Sequence, residues 1–130
     1  MSSADPSSKP ESESTWRLTS AMPCLPVTDL EQAIHFYTRL GFSLDWRYPE
    51  GGDSTHAGMK LHDVSLLLNH CSGTPQRQDI YFFVADIMSF HRQLKTQFSE
   101  IPDLVEAEYG MTDFTLLDPW GHQLSFGESQ

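Results

Sequence analysis

The sequence predicts an α+β fold, two βαβββ modules forming a cupped mixed sheet with helices outside. Three observations lead there. Val27-Thr28-Asp29-Leu30 ends an apolar, strand-like run and opens a helix-like one, and Val84-Ala85-Asp86-Ile87 does the same 57 residues later. Such self-similarity marks two copies of one supersecondary unit, each with a face it cannot bury alone. Each helical pattern is followed by short extended segments separated by turn residues. Finally, 130 residues with 38% hydrophobic and 12% aromatic content suffice for one domain with a core. The modules then share one body, and small-molecule sites favour the concave surfaces where such modules meet.

The elements follow in order. Residues 1–15 are rich in Ser, Pro and Glu and nearly free of apolar side chains, so they read as a disordered tail before a single domain at 16–130. Residues 17–27 read as a strand at an edge or crossing between bodies, because Pro23 and Pro26 cannot donate to a ladder. Thr28, with Glu31 three residues on, has the form of a capping box. Leu30, Ala33, Ile34, Tyr37 and Leu40 then share one helical face, and Gly41 ends the helix. Strands are expected at 42–48, 55–61 and 64–69, with turns at Gly51-Gly52-Asp53 and His62-Asp63.

The second module, about 78–128 against 17–70 for the first, repeats the plan. Residues 79–85 form a strand and Asp86 caps a helix striped by Ile87, Phe90, Leu94 and Phe98. Strands follow at 103–108, 112–117 and 122–127, the last two joined by Asp118-Pro119-Trp120-Gly121.

Eighteen acidic residues against eight Lys and Arg give a formal charge of −10. That balance argues against nucleic acid, whose binders need a basic footprint, and against anionic membrane surfaces. It allows a cationic ligand, because a negative field concentrates positive partners. Cys24 and Cys71 have no zinc-site or redox spacing and read as free thiols of a cytoplasmic protein. No apolar run approaches the ~18 residues of a membrane span, and no signal peptide is visible.

Leu18-Thr19-Ser20-Ala21-Met22-Pro23, the run from Asp29 through Gly41-Phe42-Ser43, and Tyr109-Gly110-Met111-Thr112-Asp113-Phe114-Thr115-Leu116-Leu117-Asp118-Pro119-Trp120-Gly121 carry a family likeness. Over residues 17–127 the chain resembles the vicinal-oxygen-chelate superfamily of glyoxalase I, fosfomycin resistance proteins, extradiol dioxygenases and bleomycin resistance proteins, the last most of all. The helix followed by Leu-Gly-Phe and the Asp-Pro-x-Gly hairpin are specific to the superfamily rather than to one activity, so function must come from the site.

The resemblance puts the metal-ligand positions of the superfamily's enzymes at Met22, Leu67, Asp79 and Ser125, none of them His or Glu. Register slips of two residues would offer Asn69 and Gln123. Neither set suits a hard cation, so no metal and no cofactor is expected. The six histidines form no HxxxH or HxH pair. His35 and His91 fall on helices, His62 and His70 beside turns or strand ends, and His56 and His122 could approach a pocket. No nucleophile elbow is present.

What the cleft offers instead is aromatic and acidic. By resemblance, Asp45, Trp46, His56, Asn69, Tyr81, Tyr109 and Gly121 match positions lining the drug-binding groove of bleomycin resistance proteins. Strand alternation puts Phe83 on the same face as Tyr81. Asp45, Asp79 and Glu108 are candidate partners for a cation, and Gly121 would let a ligand approach the backbone. Two groove tryptophans of that family are Tyr81 and Tyr109 here, and a phenylalanine position is His56. The resemblance also implies a homodimer, with the strand near Pro23 exchanged between subunits. The expected function is non-catalytic binding and sequestration of a planar, cationic small molecule such as a bleomycin-family antibiotic, conferring resistance. The alternative is a metal-dependent lyase or dioxygenase, or a metal-free isomerase.

Overall fold

Two aspartates start the two helices. Asp29 has extended backbone and its Oδ1 accepts from the Gln32 N–H at 3.1 Å. Asp86 sits in the left-handed region at φ +63° and accepts from the Ser89 N–H at 3.3 Å. Each satisfies a first-turn donor that the helix cannot. The computed structural model describes residues 15–130, so positions 1–14 of the expected tail lie outside it.

The first module runs β1 (Cys24–Val27), α1 (Leu30–Leu40), β2 (Ser43–Tyr48), β3 (His56–Leu61) and β4 (Val64–His70). The second runs β5 (Asp79–Phe83), α2 (Ile87–Gln97), β6 (Val105–Glu106), β7 (Met111–Leu117) and β8 (Gln123–Ser129). Each module forms its own four-stranded mixed sheet, in the orders β1-β4-β3-β2 and β5-β8-β7-β6. In each, the first strand pairs parallel with the last, and the remaining pairs are antiparallel.

The helices cover one face of each sheet. Leu30, Ala33, Tyr37 and Leu40 of α1 are buried against Leu25, Val27, Ala57, Met59, Leu66 and Leu68 of the first sheet. Rings then carry the core across the module boundary. Tyr37 meets Phe42 at 6.1 Å between centroids, Phe42 meets Phe82 at 6.4 Å, and Phe82 stacks on Phe126 at 4.8 Å. Such pairs contribute about 0.5–1.5 kcal/mol each beyond area burial.

Polar ties also cross the boundary. Asp118 is buried, and its Oδ2 accepts from the Tyr37 phenol at 2.6 Å. Its Oδ1 accepts from the Trp120 and His122 N–H groups at 2.9 and 2.8 Å, closing the hairpin turn. Burial first, and then the Asp118 charge, hold the Tyr37 phenol protonated far above its ordinary range. His122 is fully buried; Gln78 N–H donates to its Nδ1 at 3.1 Å. Its Nε2 therefore carries the proton and donates to the Pro26 carbonyl at 2.7 Å.

Several expectations are corrected. The first strand is four residues long rather than spanning 17–27, and residues 15–23 have no regular structure. Thr28 is not the helix cap and Glu31 is not its box partner. Thr28 Oγ1 instead accepts from the Trp120 indole at 2.9 Å, and Glu31 pairs with Arg47. The strand expected at 103–108 shortens to Val105–Glu106, and that at 79–85 ends at Phe83. Phe42, at the start of the strand expected at 42–48, instead precedes β2 and is buried in the core.

Helix α2 has a second cap that makes stability depend on acid. Glu128 accepts from the Ile87 and Asp86 N–H groups at 2.9 and 3.0 Å. These bonds hold the Glu128 carboxyl below its ordinary 4.5, and the Ser89 bonds hold Asp86 below its ordinary 3.8. A depressed folded-state pKa adds stability above the unfolded value and loses it as pH falls through the folded one. The melting temperature should therefore drop below about pH 4.5, and Glu128→Gln should flatten that drop. Identical pH profiles for variant and parent would refute this.

Candidate functional site

The faces not covered by helices are built in rows. On the first sheet, Cys24, Leu67, Gly58 and Trp46 are register neighbours, and so are Pro26, Asn69, His56 and Tyr48. Strict alternation from Phe42 would put Trp46 on the core side. A bulge between Leu44 and Trp46, at Asp45, switches the face and brings Trp46 over Gly58. A side chain at Gly58 would overlap the Trp46 ring, so glycine there makes room for the indole. Cys24 donates to Asn69 Oδ1 at 2.8 Å, and burial raises the Cys24 thiol pKa.

On the second sheet, Tyr81 leans across Gly127 to donate to Asp113 Oδ2 at 3.0 Å. Tyr109, from the loop before β7, donates to the same oxygen. Two phenols thus cover one buried carboxylate. Phe83 lies 5.2 Å from the Tyr81 ring and is 81% exposed, while Tyr109 is 66% exposed. These apolar faces meet water, and no side chain among the described residues buries them. Burial and then Asp113 push the Tyr81 phenol up to about 12, and the Asp113 bond raises Tyr109 too. At neutral pH both phenols keep their protons and point them at Asp113, leaving the ring faces for a ligand.

The family model for the glyoxalase/bleomycin resistance protein/dioxygenase superfamily matches residues 18–126. The chain belongs to that superfamily. Among curated protein sequences none matches. Solved structures do. A bleomycin-binding protein complexed with bleomycin superposes with TM-score 0.74 at 24% identity, over 87% of this chain and all of that one. TioX from Micromonospora sp. ML1 gives 0.72 at 20%, over 85% and 100%. A glyoxalase-related enzyme from Clostridium phytofermentans gives 0.72 at 18%, over 91% and 100%. The superfamily therefore holds both binding proteins and enzymes on this fold.

The residues at the superfamily's metal positions do not fit a metal. Leu67 has no donor atom and Met22 only a thioether. The Ser125 hydroxyl is bonded to Thr115 Oγ1 at 2.7 Å. Asp79 lies 3.9 Å from Arg77. Among the described residues, no three His, Cys, Asp or Glu side chains gather to hold an ion.

Of the candidate site residues, the structure groups Tyr81, Phe83 and Tyr109 on one face, and Trp46, His56 and Asn69 on the other. Asp45 is exposed at the bulge between Leu44 and Trp46. Gly121 is apart: it precedes β8 at the end where Leu117 pairs with Gln123, whereas Tyr109 precedes β7 at the Met111–Ser129 end. Six residues of strand separate those ends, roughly 20 Å. Asp113, Gly58 and Gly127 were missed. A lone Asp in the middle of the apolar run 111–117 was the available signal.

Proposed function

We propose that this protein binds a planar, cationic small molecule of the bleomycin type and sequesters it without chemical change. The observation that carries the reading is the solvent-facing Tyr81–Phe83–Tyr109 surface set over Asp113. Flat rings stack on such faces, at about 0.5–1.5 kcal/mol per pair. A cation gains from the same rings and from the carboxylates of Asp79, Asp113 and Glu108. Trp46, His56 and Asn69 supply the opposite wall of the groove, with Asp45 and Gly121 at its margins.

These two walls belong to different sheets of one chain, so a groove needs them brought together. We assign that to a homodimer in which the segment before β1, exposed at Leu18 and Met22, crosses to the partner. Pairing within the chain starts at the Pro23 carbonyl, which leaves residues 17–22 of the expected strand to pair elsewhere. We place the protein in the cytoplasm on the evidence of its two free thiols. Among the described residues no helix is long and apolar enough to cross a membrane.

Calorimetric titration of EDTA-treated protein with copper-loaded bleomycin tests this. The expected result is saturable, sub-micromolar binding, near one drug per chain, by a species of twice the 14.8 kDa chain mass. No heat at tens of micromolar drug would remove bleomycin as the ligand, and a light-scattering mass of one chain would remove the dimer.

A further inference from the structure

A second cavity, of about 530 Å³, lies on the helix side of the molecule, between the β3–β4 turn, the end of β5 and the start of α2. Its size is that of an ordinary small-molecule site. The floor is Phe42, Phe82, Phe90 and Phe126, rings already locked in the core by mutual contacts of 4.8–6.4 Å. A floor that rigid is preorganised and need not be ordered on binding. It belongs to neither of the open sheet faces: Phe82 and Phe126 point to the side opposite Tyr81 and Gly127 on the same strands.

The rim is acidic. Asp63 and Asp86 line it, with His62 and Ser89, and no lysine or arginine does. At the α2 N-terminus the Asp86, Ile87 and Ser89 N–H groups are already taken by the carboxylates of Glu128 and Asp86, whose charge repels an anion. The nearest cation on the helix, Arg92, donates to Ser89 Oγ at 3.2 Å, and its charge acts on Asp86. The rim also holds both non-glycine residues with positive φ among the described residues, His62 at +53° and Asp86 at +63°. Such backbone is held only where its surroundings over-determine it, and it clusters at functional sites.

We propose that this inter-module cavity is a second binding site, for a small aromatic amine whose ring rests on the phenylalanine floor and whose ammonium sits between Asp63 and Asp86. Phe83 flanks the cavity on one side and the drug-binding face on the other, so occupancy here is positioned to be felt there. The site does not depend on what the open faces bind.

The test uses 1-naphthylmethylamine and its anionic counterpart 1-naphthylacetate, followed by NMR on the whole protein with labelled methyl groups. The amine should shift Leu61, Val64 and Val84 saturably at about 1 mM or below, as a ligand of twelve heavy atoms allows. Naphthylacetate should bind about ten-fold more weakly or not at all. Asp63→Asn, at an exposed turn, should weaken the amine about three-fold. Gln93→Trp should fill the cavity and abolish the shifts with the fold intact. Equal binding of amine and acid, shifts confined to the Leu67 and Met111 methyls of the open faces, or unchanged binding in Gln93→Trp would each overturn the proposal.

Discussion

Asp118→Ala should lower the unfolding free energy by about 3–5 kcal/mol. The carboxylate is buried and accepts from three groups at once: the Tyr37 phenol and the Trp120 and His122 N–H groups. Alanine leaves three donors unpaired, each costing about 1–3 kcal/mol where water cannot reach, partly offset by relaxation of the turn. It also cuts the tie between α1 and the β7–β8 hairpin, so the two modules lose a joint as well as a bond. Tyr37→Phe removes a single donor from the same carboxylate and should cost about 1–2 kcal/mol. Equilibrium urea unfolding of both variants checks the pair. A loss under 1 kcal/mol for Asp118→Ala would show that the modules hold without this network.

Tyr81→Ala should weaken copper-loaded bleomycin by about ten- to thirty-fold. The ring contributes a stacking face beside Phe83, and its phenol helps to hold Tyr109 in place through their shared Asp113 oxygen. Removing it therefore costs one stack and loosens a second. Tyr81→Phe keeps the ring and loses only the bond to Asp113, so affinity should fall less than about five-fold. The pair separates stacking from hydrogen bonding. Equal losses in both variants would mean the phenol, not the ring face, matters to the ligand. Gly127→Val adds an independent handle, because its side chain would occupy the space over which Tyr81 lies.

Much of the fold was legible because short-range signals happened to agree. Asp86 and Gly41 bound helices whose apolar stripes point the same way, and the 57-residue repeat set the order of strands. The misreadings came where tertiary contacts chose between equal local options. Thr28-x-x-Glu31 and Asp29-x-x-Gln32 both fit a cap one residue apart, and Trp120 settles the matter by occupying Thr28. Residues 17–23 have a strand's apolar content, but a strand needs a neighbour, and in one chain only the peptide from Pro23 onward finds one: Leu67 N–H donates to the Pro23 carbonyl at 2.8 Å.

The candidate site shows the same division. Tyr81 and Phe83 follow from simple alternation along β5. Trp46 reaches its face only through the bulge at Asp45, which no periodicity announces. Asp113 stood out only as a lone acid in an apolar run, because its role depends on two tyrosines, 32 and 4 positions away, converging on one oxygen.

The central claim is capture without turnover, and nicking of supercoiled plasmid by iron-loaded bleomycin tests it most directly. Protein added in increasing amounts should suppress nicking in proportion and abolish it near one chain per drug, with the protection constant over time. Unchanged nicking at excess protein would contradict binding. Complete protection by a small fraction of an equivalent, growing with time, would contradict sequestration and make the protein an enzyme.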